Sequence, residues 1–322
     1  MDEKGATFLC DLIGRKESES AIDSSLPLYL IMVSGGIPGA MIRLASEGTR
    51  LGRSPENTYQ LHEVSVSRHH AAIDIDAQGA VRVTDVGSTN GTFLNGRRLR
   101  PHTPFRLKDG DRLQLGSAVI FKFVRLDPCD EQFQREMFER TVRDGLTGLY
   151  NRSFFMNQVG PLAEFGALRG LGLAILMLDI DHFKRINDGF GHDVGDLVLR
   201  EVANVLRDAT RPEDLVARYG GEEFVLALPV AAPDQATERS ERIRACLAAR
   251  RITAGSGVLR VTASLGLAFA PADRPRSPNA MITAADHCLY QAKQSGRDRV
   301  VFRPESLLPV REPEVTPRSS TI

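Results

Sequence analysis

The sequence has 322 residues, and its 41 Lys and Arg residues balance 41 Asp and Glu residues, so the formal net charge is zero. Hydrophobic residues make up 42% and charged residues 25%, as in ordinary globular proteins, and this length predicts two domains. Zero net charge argues against an extended nucleic-acid-binding surface, which needs a basic excess. No apolar run approaches the roughly 20 residues that cross a bilayer, and the acidic start MDEKGATFLCDL does not resemble a secretory signal. The four cysteines form no CxxC pair, which argues against a disulfide scaffold and fits a reducing cytosol. From charge, apolar runs and cysteines together, we expect a cytoplasmic protein without a membrane or nucleic-acid partner.

Composition and hydrophobic period divide the chain into five segments. Residues 1–26 are polar and acidic and residues 304–322 are rich in proline, so we expect two disordered tails. Residues 27–128 hold short alternating runs between turn signals, which predicts an all-β sandwich. Residues 129–143 change to a helical period, which predicts a short amphipathic linker helix. Residues 144–303 alternate strands and helices, which predicts an α+β or α/β-layered domain.

Two acidic clusters stand out in the last of these domains. Asp179 and Asp181 end a predicted buried strand in LMLDIDHFK, while Glu222 and Glu223 follow two glycines in RYGGEEF. Carboxylate clusters without cysteine or clustered histidine suit Mg²⁺, which binds a few carboxylates together with substrate phosphates. Each acid taken alone is more simply a solvated strand end, so the hypothesis of a metal site depends on the combination.

Several motifs in this domain resemble those of one known family, in the same order. The stretch RYGGEEF (218–224) resembles the signature loop of GGDEF-type diguanylate cyclases, in its GGEEF form. Other motifs of that family are matched by DGLTGLYNR (144–152), LDIDHFKRINDGFGHDVGD (178–196), ASLGLA (263–268) and ADHCLYQAKQSGRDRV (285–300).

The resemblance implies an α+β domain with a central mixed sheet that condenses two GTP molecules into cyclic di-GMP and two pyrophosphates. It implies Mg²⁺ or Mn²⁺ as the cofactor. Each domain would hold one GTP, so we expect a homodimer at least during catalysis, in a bacterial cytoplasm. The expected catalytic and metal-binding positions are Asp179, Ile180 (through its carbonyl), Glu222 and Glu223, the last as a ligand or proton acceptor. The positions expected to bind GTP are Asn187 and Asp196 at the guanine edge, Lys184, Lys293 and Arg297 at the phosphates, and Gly220 and Gly221 at the signature turn.

A second motif lies shortly upstream of the signature loop. Arg211-Pro-Glu-Asp214 has the RxxD form and resembles the inhibitory product site of the same family. An arginine can grip a phosphate or stack on guanine, and an aspartate can accept from the N–H groups of guanine. The alternative is a capping or ion pair at a helix end, which contributes little at a surface.

Polar clusters separate the predicted strands of residues 27–128. Each could be ordinary turn chemistry, but their order, in LGRSPEN (51–57), SVSRHH (65–70) and DVGSTNGT (85–92), resembles the forkhead-associated (FHA) domain. That resemblance implies binding of a phosphothreonine-containing protein, and a degenerate, silent FHA domain is the alternative. The positions expected to bind are Arg53 and Ser67 at the phosphate, Arg68 as added charge, Thr89 as support and Asn90 at the peptide backbone.

Three questions stay open at this point. The GGDEF-like domain could be a non-catalytic sensor of GTP or cyclic di-GMP, or chiefly a dimeriser in a phosphothreonine adaptor. The phosphothreonine could belong to an external protein, which we favour, or to Thr316, which precedes Pro317 in the tail. The apolar side of 133–142 could pair with a second copy or pack on a domain of its own chain.

Overall fold

The computed structural model describes residues 26–254 and 257–302, so the two predicted tails lie outside the described residues, apart from Leu26. The chain divides into two compact units, Met1–Arg135 and Glu136–Ile322. No helix within the described ranges combines the length and apolar character that a bilayer crossing demands.

The first unit is a β-sandwich, as the alternating runs predict. Its strands are β1 (Leu28–Ser34), β2 (Met41–Arg43), β3 (Thr49–Gly52), β4 (Tyr59–Gln60), β5 (Ala71–Ile75), β6 (Val81–Asp85), β7 (Thr92–Leu94), β8 (Arg97–Arg98), β9 (Phe105–Arg106), β10 (Arg112–Leu115) and β11 (Val119–Arg125). One sheet has the order β2-β1-β11-β10-β7-β8 and the other β4-β3-β5-β6-β9. Both sheets contribute side chains to one hydrophobic core, such as Leu30 from the first and Ile73 from the second.

Helix α1 (Pro128–Val142) follows the sandwich and contains the boundary between the two units. Asp127 caps its first turn, because the Asp127 carboxylate accepts from the main-chain N–H of Asp130 at 2.8 Å. Phe133 and Met137 are 57% and 43% exposed, whereas Val142 is buried. The helical period predicted for 129–143 is therefore present, but this single chain covers only part of its apolar side.

The second unit contains helices and a mixed six-stranded sheet. Its elements are β12 (Tyr150–Asn151), α2 (Arg152–Ala167), β13 (Gly172–Ile180), α3 (Phe183–Phe190), α4 (His192–Ala209), β14 (Leu215–Arg218), β15 (Glu223–Val230), α5 (Pro233–Ala249), β16 (Ile252–Ala254), β17 (Gly257–Leu259), β18 (Ala263–Ala270), α6 (Pro278–Gln294) and β19 (Val300–Phe302). The six-stranded sheet has the order β12-β14-β15-β13-β18-β19. Strand β13 is antiparallel to both neighbours, while the β12–β14 and β18–β19 pairs are parallel. Together with the sandwich, this sheet confirms the predicted fold class.

Strand β13 is the middle of this domain, and all nine of its residues are buried. Its side chains alternate between two cores, because successive residues of a strand point to opposite faces. Leu176 and Leu178 pack in the core that includes α4 and α5, while Ile175 and Met177 pack in the core that includes α2 and α6. The long apolar run in the sequence thus reflects a strand covered on both faces, and it brings Asp179 to one edge of the sheet.

Candidate functional site

The two acidic clusters of the sequence meet where β13 ends and β15 begins. Asp179 lies opposite Glu223 in the antiparallel register of these strands. Glu222 directly precedes Glu223, and its main-chain oxygen accepts from the N–H of Ile180 at 3.4 Å. The structure therefore brings together the four positions expected to hold the metal and to catalyse.

The turn before Glu222 is held by Arg218, a residue of the RYGGEEF stretch to which the sequence assigns no separate role. The Arg218 guanidinium donates to the carbonyl oxygen of Gly221 at 2.7 Å and to the Asp144 carboxylate at 3.2 Å. Asp144 also accepts from Thr147, and these bonds, working against the effect of burial, lower the pKa of Asp144. An ionised Asp144 thus anchors the signature turn through Arg218.

Burial alters the electrostatics of the site where β13 ends and β15 begins, which we call the acidic edge (Asp179, Ile180, Glu222 and Glu223). Burial raises the pKa of Asp179, and Lys293 opposes this shift with its Nζ 2.7 Å from Asp179 Oδ2. Burial and the negative charge of Asp179 raise the pKa of Glu222. Two partly buried carboxylates that repel each other are stabilised by a cation placed between them. The ammonium group of Lys293 supplies part of that positive charge.

The donors at this edge fit a hard cation. Within the described residues, no group of three or more His, Cys, Asp and Glu side chains is arranged as a complete metal site. The available donors are the Asp179 and Glu222 carboxylates and main-chain carbonyl oxygens. Mg²⁺ and Mn²⁺ accept such oxygen ligands, and Mg²⁺ sites are commonly completed by water and substrate phosphates. The set therefore suits a divalent ion that arrives with a triphosphate.

Asp181 lies beside this site but is occupied by other contacts. Its buried carboxylate accepts from the hydroxyl of Thr262 at 2.7 Å, the hydroxyl of Ser264 at 2.6 Å and the main-chain N–H of Asp298 at 3.1 Å. It thereby ties the end of β13 to β18 and to the loop after α6, which carries Arg297. Thr262 and Ser264 lacked any signal in the sequence that marked them as partners.

The expected GTP-binding residues lie on elements around the acidic edge. Asn187 lies on α3 and Asp196 on α4, where Gly195 leaves room for the Asn187 side chain. Lys293 contacts Asp179 directly, and the charge of Arg297 is close enough to lower the pKa of Asp179. The further residues named for this site are Lys184, exposed on α3, and Gly220 and Gly221 in the turn before β15.

The RxxD segment borders a separate cavity of about 820 Å³, whose lining includes no residue of the acidic edge. Arg211 is exposed and lines this cavity, with one of its guanidinium nitrogens 3.8 Å from a Glu213 carboxylate oxygen. The Asp214 side chain, in contrast, is buried and pairs with Arg239 on α5. The cavity lining also includes Arg169, Arg239 and Arg242.

The polar loops of the sandwich are joined to one another by hydrogen bonds. Ser67 Oγ accepts from the main-chain N–H of Thr89 at 2.9 Å, and the Ser67 carbonyl accepts from the N–H of Arg53 at 2.9 Å. The Asn90 side chain donates to the carbonyl of Ser65 at 2.8 Å.

Two arginines of this surface carry exposed positive charge. In the part of the chain that the structure describes, neither the Arg53 nor the Arg68 guanidinium has a hydrogen-bond or ion-pair partner, and both residues are exposed. Such guanidinium groups are suited to binding an anion at the loop ends.

The buried side chain of His70 holds two of these loops together through hydrogen bonds. His70 Nδ1 accepts from the N–H of Ser67 at 3.0 Å, so Nε2 carries the proton that is donated to the Gly91 carbonyl at 3.1 Å. Burial lowers the pKa of His70 and keeps the ring neutral. His70 therefore positions the loop that carries Ser67.

Comparisons with known proteins agree with both units. The family model for the diguanylate cyclase GGDEF domain matches residues 141–299, and that for the FHA domain matches residues 49–116. The response regulator PleD of Caulobacter vibrioides is 37% identical over 252 residues, which are 77% of this chain and 51% of PleD. The probable diguanylate cyclase DgcT of Escherichia coli is 37% identical over 165 residues, which are 50% of this chain and 35% of DgcT.

These two curated relatives are longer proteins, and the chain spans about half of PleD and about a third of DgcT. Among solved structures, the coiled coil and GGDEF domain of DgcB from Caulobacter crescentus, in complex with cyclic di-GMP, has a TM-score of 0.50 and 31% identity. That similarity covers 54% of this chain and 91% of the DgcB chain. The matched ranges fall on the mixed-sheet unit and on the sandwich, so the chain belongs to the GGDEF family and carries an FHA domain ahead of its GGDEF domain.

Proposed function

We propose that this protein is a diguanylate cyclase that condenses two GTP molecules into cyclic di-GMP and two pyrophosphates. The observation that carries the proposal is the meeting of Asp179 and Glu222 at one sheet edge, with Lys293 in contact with Asp179. The name of DgcT, a probable diguanylate cyclase, supports the same activity. Because GTP is a cytoplasmic nucleotide, we place the enzyme in the bacterial cytoplasm.

The chemistry follows from the charges at this edge. The 3′-hydroxyl of one GTP attacks the α-phosphate of the other, so that a new oxygen–phosphorus bond forms as the bond to pyrophosphate breaks. Asp179, Glu222 and the Ile180 carbonyl would hold Mg²⁺ or Mn²⁺, which would supply positive charge next to the phosphates. Glu223 would accept the hydroxyl proton or add a ligand to the metal.

Substrate positioning is the main task of the remaining residues. Lys184, Lys293 and Arg297 would bind the phosphates. Asn187 and Asp196 would hydrogen-bond the guanine, since a carboxylate accepts from the guanine N–H groups. One domain holds one GTP, so two copies of the chain must face each other during each attack.

Product feedback is the second part of the proposal. The cavity beside Arg211 presents several guanidinium groups, which suit the two phosphates and the guanine bases of cyclic di-GMP. The DgcB structure holds cyclic di-GMP, which shows that a similar domain binds this molecule. We therefore assign Arg211 and Asp214 to an inhibitory product site.

The FHA domain supplies the third part, binding of a phosphothreonine-containing protein. Arg53 and Ser67 are joined through a main-chain hydrogen bond, and Arg53 leaves its side chain exposed for a phosphate. Charge-assisted bonds from arginine to phosphate are strong and directional. We favour an external protein as the ligand over Thr316, which lies outside the described residues.

The test of catalysis is incubation of purified protein with GTP and Mg²⁺, followed by separation of the nucleotide products. Wild type should form cyclic di-GMP. Glu222→Ala should lower the initial rate at least about 100-fold, because the metal ion that would bind the phosphates loses a carboxylate ligand. The control Asp286→Ala removes an exposed acid of α6 and should keep the wild-type rate. Full turnover by a folded Glu222→Ala protein would contradict the metal assignment, and a wild type without product would favour a sensor or an adaptor.

A further inference from the structure

The loop after α6, which carries Arg297, has a strained backbone. Gly296, Arg297 and Asp298 have φ angles of 109°, 63° and 43°, so three successive residues depart from the usual negative φ. Residues other than glycine adopt positive φ rarely, because the Cβ atom comes too close to the carbonyl oxygen. Such residues keep this conformation only where the surrounding structure holds them. The contacts that hold this loop therefore determine where the Arg297 side chain begins.

Main-chain hydrogen bonds hold the loop from two elements. The N–H of Arg297 donates to the carbonyl oxygen of Ala292 on α6 at 3.0 Å. The N–H of Asp298 donates to the buried Asp181 carboxylate at 3.1 Å, and Asp181 directly follows β13. These bonds place the main chain of the loop beside the acidic edge, and they leave the Asp298 carboxylate to a third element.

That third element is α5, through Arg244. Its Nη1 donates to Oδ1 of Asp298 at 2.7 Å, and its Nε donates to Oε2 of Glu241 at 2.7 Å. Charge-assisted bonds to two carboxylates fix the plane of a guanidinium group. Arg244 lies outside every motif recognised in the sequence, so only the structure connects it with the loop of Arg297.

The Arg244–Asp298 pair can matter more for geometry than for stability. The two side chains are 25% and 41% exposed, and ion pairs exposed to this degree contribute little to the free energy of unfolding. Arg297, in contrast, delivers positive charge to the acidic edge, where it lowers the pKa of Asp179. A shift of the loop would therefore change the charge that a triphosphate meets there.

We propose that Arg244 is a positioning residue of the nucleotide site, which holds Arg297 in place for the triphosphate through Asp298. This inference rests on the proposed binding of GTP at the acidic edge. Arg244 acts from α5 and does not touch the nucleotide itself.

The inference is tested by calorimetric titration of the full chain with 3′-deoxy-GTP and Mg²⁺. This analogue carries the triphosphate but lacks the attacking hydroxyl, so binding is measured without turnover. Arg244→Met and Asp298→Gly should each weaken binding about fivefold or more. Glycine adopts positive φ freely, so Asp298→Gly removes the carboxylate without adding strain. The two variants change the net charge in opposite directions, and a purely long-range electrostatic effect would tighten binding of the anion in Asp298→Gly.

Two comparisons and a control separate positioning from general damage. In an Arg297→Ala background, Arg244→Met should weaken binding less than about 1.5-fold further, because the side chain that it positions is gone. Asp298→Asn keeps an acceptor oxygen for Arg244 and tolerates positive φ, so its affinity should stay within about twofold of wild type. The matched control is Arg250→Met. Arg250 directly follows α5 and pairs with Glu201 of α4 at 2.7 Å, and its loss should leave the affinity unchanged.

Three results would each overturn the inference: unchanged affinity in Arg244→Met, tighter binding in Asp298→Gly, or equal losses from Arg244→Met with and without Arg297. An equal loss in Arg250→Met would do so as well. A wild type that binds the analogue but forms no cyclic di-GMP from GTP would refute the cyclase activity alone, because the binding data still decide the inference. A wild type that does not bind the analogue removes both. Should Arg244→Met fail to fold, Asp298→Gly takes its place in the cycle with Arg297→Ala, with the same expectation.

Discussion

At the scale of single residues, the polar groups named by the motifs are held in place by partners outside them. Arg218 holds the carbonyl of Gly221 and the Asp144 carboxylate, so it links the signature turn to the first motif of the domain. A binding or catalytic group keeps its geometry only when its supporting contacts are also in place. Substitution of such a supporting residue is therefore expected to act on substrate binding or turnover without removing any group that touches substrate.

Gly195 offers the clearest case. A Cβ built on Gly195 would lie 1.9 Å from Oδ1 of Asn187, so Gly195→Ala must displace the Asn187 side chain. Alanine is favoured over glycine within a helix by about 1 kcal/mol, and the variant should therefore fold. We expect the KM for GTP to rise at least about fivefold with no loss in thermal stability.

The measurement is the initial rate against GTP concentration, together with a thermal unfolding curve. Gly189→Ala is the control, since a Cβ on Gly189, in α3, meets nothing within 4 Å. Equal KM values for the two variants would indicate that the position of Asn187 does not matter for GTP.

At the scale of elements, the close approach of β18 and α6 places Lys293. A Cβ on Gly266 would lie 2.1 Å from the carbonyl oxygen of Ala285 and 2.1 Å from the main-chain nitrogen of Leu289. These are backbone atoms of a helix, which cannot move singly. The absence of a side chain at Gly266 thus sets the distance between the strand and the helix that carries Lys293.

Gly266→Ala should therefore push α6 away from the sheet. We expect a loss of about 2–3 kcal/mol in the free energy of unfolding, and a melting temperature of the GGDEF unit lowered by about 4–12 °C. Scanning calorimetry of the full chain measures this shift, and the transition of the FHA unit should stay in place. Gly160→Ala is the control, because its nearest atom, on Pro278, is 4.0 Å from the added Cβ. A Gly266→Ala protein with an unshifted melting curve would show that β18 and α6 can move apart without loss of stability.

At the scale of the whole molecule, the two units are joined through α1, within which their boundary falls. Phe133 and Met137 leave part of the apolar side of this helix exposed, so pairing with a second copy stays a prediction. A ligand on the FHA domain can shift how two cyclase domains meet only by binding the alternative arrangements with different affinity. Such a difference would link phosphothreonine binding to the cyclase rate.

Arg53→Ala tests this link, because it removes the exposed guanidinium while leaving the acidic edge untouched. We expect it to abolish binding of a phosphothreonine peptide, measured by fluorescence anisotropy, and to leave the basal cyclase rate near wild type. In wild type, saturating peptide should change the cyclase rate and the dimer fraction seen by sedimentation.

Arg106→Ala, at another exposed arginine of the sandwich, is the matched control and should bind peptide as wild type does. Equal peptide affinity in wild type and Arg53→Ala would remove the phosphothreonine assignment. Binding without any change in rate or dimer fraction would mean that the FHA domain only localises the enzyme.

The sequence by itself determined the two fold classes and the two acidic clusters, whereas their meeting depends on the pairing of β13 with β15. Strand and helix periods depend on neighbouring residues. We could therefore recognise the alternating runs of the sandwich and the apolar run of β13 without a structure. The position of Asp179 at the end of that run, and of Glu222 after two glycines, followed from the same local pattern. The resemblance to family motifs then indicated which residues around these acids are expected to bind GTP.

Only the tertiary structure decided which polar groups pair. Asp214 and Arg239 are 25 positions apart, and Asp181 draws its donors from positions 81, 83 and 117 residues away. The burial of a carboxylate and its choice of partner depend on how distant helices and strands pack, and no local period records that packing. The same holds for Gly195 and Asn187, whose contact exists because α3 and α4 approach each other closely. The RxxD motif could therefore be read from the sequence, whereas the guanidinium that orients its aspartate could not.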